Sequence, residues 1–109
     1  MAVGTTTSAA EEIAKLAPDA RVVEALPLFA EVLQSGQTDF NGQTATVFYC
    51  GDDVEAKATV ASLLQETAVE AIDLGPLSNA RYLEPAMMVL IQLAYVQQLG
   101  QVAFKLLHR

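Results

Sequence analysis

The chain has 109 residues, 52% of them hydrophobic and 17% charged. That excludes a disordered polymer and sets the scale of one small domain, able to bury about 65% of its surface. Six Lys and Arg against thirteen Asp and Glu give a net charge of −7, which excludes the basic footprint of a nucleic-acid binder and electrostatic docking to an anionic membrane.

The first ten residues carry neither the basic nor the apolar region of a secretory leader. Thr5, Thr6, Thr7 and Ser8 precede Ala9–Leu16, and Ser8 with Glu11 has the spacing of a capping box, so a helix is expected there, ending at Pro18-Asp19. Ala20–Leu26 is short and β-branched at its centre and reads as a strand. Pro27 suits the first turn of a second helix running to Ser35 and stopped by Gly36. Gln37–Gln43 is a polar loop with an Asn41-Gly42 turn signal.

Thr44–Cys50 is the clearest strand, and its lack of polar alternation predicts burial on both faces. Asp52 and Glu55 repeat the capping-box spacing and predict a helix over Asp53–Glu66, with an apolar stripe on Val54, Ala58, Ala61 and Leu63 or Leu64. Val69–Leu74 alternates as a third strand, closed by Gly75-Pro76. Ser78 to about Leu99 is helical, with Pro85 fitting best in the first turn of the main helix, after a short turn or kinked helix over Ser78–Glu84. Gly100 ends it, and Val102–Leu107 is either a last strand or an irregular tail. The longest apolar run, Ala86–Val96, is interrupted by Gln92 and falls well short of the roughly 20 residues that span a bilayer.

Strands alternating with helices predict an α/β fold: a small, mainly parallel, three- to four-stranded sheet with flanking helices and a long apolar C-terminal helix, in one domain over residues 1–109. A parallel sheet needs cover on both faces, and a helix apolar nearly all round from Ala86 to Leu93 needs burial on more than one side. The elements available are few, which predicts a homo-oligomer, in the first place a dimer, or a companion chain. The alternative is that the long helix crosses its own sheet and is covered there.

Chemistry is sparse. No two glycines stand two apart, so G-x-G-x-x-G is absent, and so is the P-loop pattern. His108, the single histidine, sits beside the C-terminus and is poorly placed for catalysis. Cys50, the single cysteine, rules out an intrachain disulfide and a cysteine-built zinc cage, suits a reducing, cytoplasmic setting, and ends a strand expected to be buried and inert. Thr5, Thr6, Thr7 and Ser8 lie at a helix start, where free N–H groups favour an anion, or simply cap it. Ser78, Asn79 and Arg81 follow the third strand at the carboxyl edge where α/β sheets bind ligands. Arg81 either holds a phosphate or carboxylate or pairs within the chain, with Glu84 or Asp73. Asp52 and Asp53 read as caps rather than a metal pair; Met87, Met88, Tyr82 and Tyr95 read as packing residues. No catalytic and no metal-ligating residue is expected.

Three segments carry a resemblance. They are Gly4-Thr5-Thr6-Thr7-Ser8-Ala9-Ala10-Glu11-Glu12-Ile13; Ala45-Thr46-Val47-Phe48-Tyr49-Cys50-Gly51-Asp52-Asp53 with Glu55-Ala56-Lys57; and Asp73-Leu74-Gly75-Pro76-Leu77-Ser78-Asn79-Ala80-Arg81-Tyr82-Leu83-Glu84-Pro85. Together they resemble the C-terminal half of the NADPH-dependent reductases grouped with the coenzyme F420-dependent NADP oxidoreductases. The D-x-G-x-L-x-x-A-R pattern is also similar to one in the cytosolic reductase domains of six-transmembrane metalloreductases. The resemblance implies a partial Rossmann-like fold, with NADP and coenzyme F420 or a flavin as cofactors. It also implies hydride transfer directly between them, in which the protein supplies binding and orientation. Two departures stand out: the G-x-G-x-x-G half is missing, and Glu24-Ala25-Leu26-Pro27-Leu28 replaces the family's K-A-F-N-T. The resemblance therefore implies a reductase portion inactive alone, with a non-catalytic homodimeric remnant or a small anion- or flavin-binding module as alternatives.

Overall fold

The structure is a computed structural model and describes residues 6–109, apart from the side chains of Glu31 and Leu33. Helix α1 (Ala9–Leu16) begins at the expected cap: the Ser8 hydroxyl accepts the Glu11 N–H at 3.1 Å. Strand β1 (Val23–Leu26) follows, then helix α2 (Ala30–Ser35). Pro27 is buried ahead of that helix rather than in its first turn. The expected polar loop contains a miniature hairpin, β2 (Asp39–Phe40) and β3 (Gln43–Thr44), turned by Asn41 and Gly42 with φ of 55° and 85°. Both angles are left-handed, which is why an Asn-Gly pair suits this turn.

Strand β4 (Thr46–Gly51) leads to helix α3 (Val54–Glu66) and strand β5 (Glu70–Gly75). A 3₁₀ turn (Leu77–Asn79), helix α4 (Ala80–Ile91) and a π turn (Gln92–Val96) then run on as one helical segment. Among the described residues no helix is long and apolar enough to cross a membrane.

The architecture is mixed α/β with a small sheet and flanking helices, ordered β1-β4-β5. β4 and β5 are parallel, as expected of a pair joined by α3, but β1 pairs antiparallel with β4, from Val23 opposite Gly51 to Leu26 opposite Phe48. The sheet is thus half parallel, not mainly parallel. The connection between β1 and β4, from Pro27 to Ala45, holds only the six-residue α2 and the small hairpin, with no long crossover helix of the kind that joins parallel strands. The chain therefore re-enters β4 at the end where it left β1. The last segment makes no full fourth strand. One bridge forms, Thr46 N–H to the Phe104 carbonyl at 2.8 Å, beside β4 where β1 has already ended.

β4 alternates between two apolar clusters, as a strand covered on both faces must. Val47 and Tyr49 pack with Leu28, Phe29, Val32, Leu64, Val69, Leu90 and Ala94. Phe48 and Cys50 pack with Ala10, Leu77, Ala80 and Leu83. α4 runs along β1 and contributes to both clusters.

Two helix details differ from expectation. Asp53, not Asp52, caps α3, accepting the Ala56 N–H at 2.7 Å, and Leu64 is the stripe's one buried member, with Val54 78% exposed. Pro85 lies inside α4 rather than in its first turn. A proline there removes one helical hydrogen bond, at a cost of about 3 kcal/mol. Burial of Leu83 and Leu90 on either side of it, at 3% and 1% exposure, opposes that cost.

Candidate functional site

The carboxyl ends of β4 and β5 face the start of α1, the 3₁₀ turn and the first turn of α4, so the topology gathers most of the sequence-selected residues at one edge. Gly75 makes the turn out of β5, with φ of 103°; its N–H bonds Asp73 Oδ1 at 2.7 Å, a contact that holds Asp73 below the usual carboxylate range. Asp52 Oδ1 accepts the Leu77 N–H at 3.0 Å and ties the β4–α3 turn to the 3₁₀ turn. An open cleft of about 160 Å³ lies beside these groups, lined by Ala14, Ala20, Arg21, Val22, Asp52, Asp53 and Leu77.

Arg81 reaches α1 and grips Glu11 through two parallel bonds, Nε to Oε1 at 2.8 Å and Nη2 to Oε2 at 2.9 Å. The intrachain pair expected with Glu84 or Asp73 is thus made with Glu11 instead. Arg81 holds the Glu11 carboxyl below its ordinary range, and Glu11 in turn raises Arg81. Ser8 is fully buried and its hydroxyl also donates to Glu11 Oε1 at 2.9 Å. Thr7 donates to Glu12 at 2.8 Å, and the Asn79 amide donates to the Leu74 carbonyl at 2.7 Å. Thr6 and Ser78 are exposed, and Thr5 lies outside the described residues.

The start of α1 already has its anion. Glu84, from α4, accepts the N–H groups of Ala9 at 2.8 Å and Ala10 at 3.1 Å. Behind it on β1 stands Glu24, opposite Cys50 across the sheet and within hydrogen-bond reach of Glu84. Burial first, then the hydrogen bond to Glu84 and last its charge, push the Glu24 carboxyl up to about 8. Burial also works on Glu84, but the hydrogen bonds from Glu24 and from the Ala9 and Ala10 amides outweigh it and leave Glu84 below its ordinary range. The shared proton therefore sits on Glu24. Burial, reinforced by Glu24 and Glu84, raises the Cys50 thiol to about 11 and keeps it inert.

Glu24 and Glu84 are the groups that sequence reading missed. The available signals were a lone acid inside the apolar run Val22-Val23-Glu24-Ala25-Leu26 and an acid directly before Pro85. As arranged, these residues do not fit a nucleotide phosphate. The amides of α1 are occupied by Glu84 and the guanidinium of Arg81 by Glu11, with two further carboxyl groups, Glu12 and Glu24, nearby. Among the described residues, no group of three or more His, Cys, Asp and Glu side chains is arranged to hold a metal.

No family model matches the chain. The fold is that of a reductase-like α/β protein: a structure from Arthrobacter sp. FB24, assigned as an F420-dependent NADP-reductase, superposes with a TM-score of 0.84 at 32% identity, over 95% of this chain. Metalloreductase STEAP3 of Rattus norvegicus is 40% identical over 78 residues, 71% of this chain. The chain is thus related to reductases over most of its described length. It spans 47% of the first relative and 15% of the second.

Proposed function

We propose that these residues form one portion of an NADP-linked reductase, which takes part in hydride transfer to a deazaflavin or flavin acceptor only together with a dinucleotide-binding element from outside them. The observation that carries this reading is the superposition over nearly the whole chain on less than half of an F420-dependent NADP-reductase. The missing G-x-G-x-x-G and the internally engaged Arg81 and α1 amides agree with it. The portion contributes shape and packing, and no acid–base group is required of it. Titration of the 109-residue chain with millimolar NADPH, followed by nicotinamide fluorescence, tests this. No saturable binding and no NADPH oxidation with F420 or FMN are expected; turnover by the chain alone overturns it.

A second reading, a dimer through the α4 segment, is favoured by a separate observation. Residues 85–104 contain no charged side chain, and Met88, Val89, Tyr95, Val96 and Leu99 are 43–63% exposed. Several large apolar side chains exposed along one uncharged segment are a usual mark of an interface. Light scattering after size exclusion tests it: Val89→Asp is expected to convert a dimer into a monomer, and a monomeric parent chain at working concentration overturns it.

A further inference from the structure

The asparagines of the chain, Asn41 and Asn79, stand in opposite settings. Asn79 is half-buried before α4 and gives its side-chain amide to the Leu74 carbonyl at 2.7 Å. Asn41 is exposed at the tip of the β2–β3 hairpin, with φ of 55°, and is followed by Gly42. Asparagine amides are among the thermally labile groups of a protein. Loss of the amide needs the next backbone nitrogen to reach the side-chain Cγ. Nothing screens that nitrogen here: Gly42 has no side chain, and a Cβ placed on it would meet no atom within 4 Å beyond its chain neighbours.

The Gly42 N–H donates to Asp39 Oδ2 at 3.2 Å. That proton must leave if the nitrogen is to act as a nucleophile, and a carboxylate already stands on it. Strands of two residues hold such a tip weakly, so the backbone rotation that brings the Gly42 nitrogen onto Asn41 Cγ costs little. The base of the hairpin is fixed instead. The buried Thr38 donates to the Ala68 carbonyl at 2.6 Å, and the Ala45 N–H donates to the Thr38 carbonyl at 2.9 Å.

We propose that Asn41 is a self-modification site, at which the chain sheds ammonia with Asp39 as the base. The Gly42 nitrogen attacks Asn41 Cγ as its proton passes to Asp39. The N–Cγ bond forms, the Cγ–Nδ2 bond breaks, and the proton departs with Nδ2 as ammonia, which restores the Asp39 carboxylate. Water then opens the resulting five-membered imide. Attack at Cγ gives aspartate; attack at the main-chain carbonyl carbon gives isoaspartate, whose main chain runs through Cβ and Cγ. The net charge moves from −7 to −8, one neutral amide becoming one carboxylate. The isoaspartate form adds a main-chain carbon to the turn and displaces Phe40 from its place opposite Gln43 and against the Leu28, Phe29 and Val32 cluster.

Prolonged incubation of the full chain at neutral pH, followed by peptide mapping and enzymatic methylation of isoaspartate, tests this. Asn41 is expected to yield aspartate and isoaspartate while Asn79 keeps its amide. A chain that retains the Asn41 amide, or loses that of Asn79 first, overturns the site. Asp39→Asn keeps the side chain's size and an oxygen able to accept the Gly42 N–H, but not the base. Loss of the Asn41 amide is therefore expected to slow at least about threefold in that variant. An unchanged rate overturns the proton transfer to Asp39, and so does a faster one, which would mean that Asp39 holds the turn against reaction.

Discussion

Replacing Glu24 by Gln should change how global stability responds to pH. The folded chain keeps the Glu24 proton to about pH 8 and the unfolded chain releases it near pH 4.3, so the folded state binds more protons between these values. The sign follows: this contribution is fully present below the unfolded pKa and is lost as pH rises through the folded one. In full, the slope is about 1.4 kcal/mol per pH unit, or roughly 5 kcal/mol across the window. Glu24 is only partly buried, and solvent screening reduces the effect to an expected ~2 kcal/mol. The carboxyls held low, Glu11, Glu12, Glu70, Asp73 and Glu84, act in the opposite direction, and mainly on the acid side of the same window. Cys50, raised to about 11, lowers stability only where an unfolded thiol ionises, above about pH 8. Urea titrations should therefore show the parent chain losing ~2 kcal/mol between pH 5 and 8, with Glu24→Gln nearly flat and the more stable of the two at pH 8. A flat parent chain, or an equal slope in the variant, would refute the reasoning.

Three further substitutions probe other parts of the molecule. At Gly51 an added Cβ meets the Val22 carbonyl at 3.1 Å, Val23 Cγ2 at 3.1 Å and Lys57 Cγ at 3.2 Å; Gly51→Ala is expected to cost about 1–3 kcal/mol by urea denaturation. Leu90 is 1% exposed among Leu28, Phe29, Val32 and Val47, and Leu90→Ala should cost about 2–5 kcal/mol, with the cavity contributing to the larger values. Arg81→Ala should move the Glu11 titration back up toward the ordinary carboxylate range by ¹³C NMR, since Arg81 is the chief cause of its depression, and should weaken the acid-side loss of stability that this pair contributes.

What the sequence revealed was local. The Ser8 cap, the Asn41-Gly42 turn and the α3 helix are each decided within a few residues, and each stands in the structure. The hairpin was hidden because strands of two residues carry no periodicity. The direction of β1 was hidden because it is set by pairings between distant residues, Val23 with Gly51 and Leu26 with Phe48. Pro85 was placed by its usual preference for a first turn, which packing of Leu83 and Leu90 overrode. At the carboxyl edge, sequence reading found Ser8 and Arg81 but not what they bind. Glu11 lies 70 residues from Arg81, and Glu84 lies 75 from Ala9. No local pattern records such pairings.

These pairings bear on how the chain can act with a nucleotide. A helix start attracts anions because its first amides are unpaired and its dipole is positive there. In α1 that demand is met by a carboxylate of the same chain, held in place by a neighbouring acid and not by a lysine or arginine. The cations follow the same rule: Lys15, Arg21, Lys57, Arg81 and Lys105 each lie within ion-pair distance of an Asp or Glu. A pyrophosphate arriving at this edge would have to displace Glu84 from two amides or Glu11 from a two-point grip, and would do so among unneutralised acids. An element that brings its own amides and cations avoids both displacements. That is the physical reason for proposing that dinucleotide binding lies in a segment outside these residues, with shape and packing supplied by the portion within them.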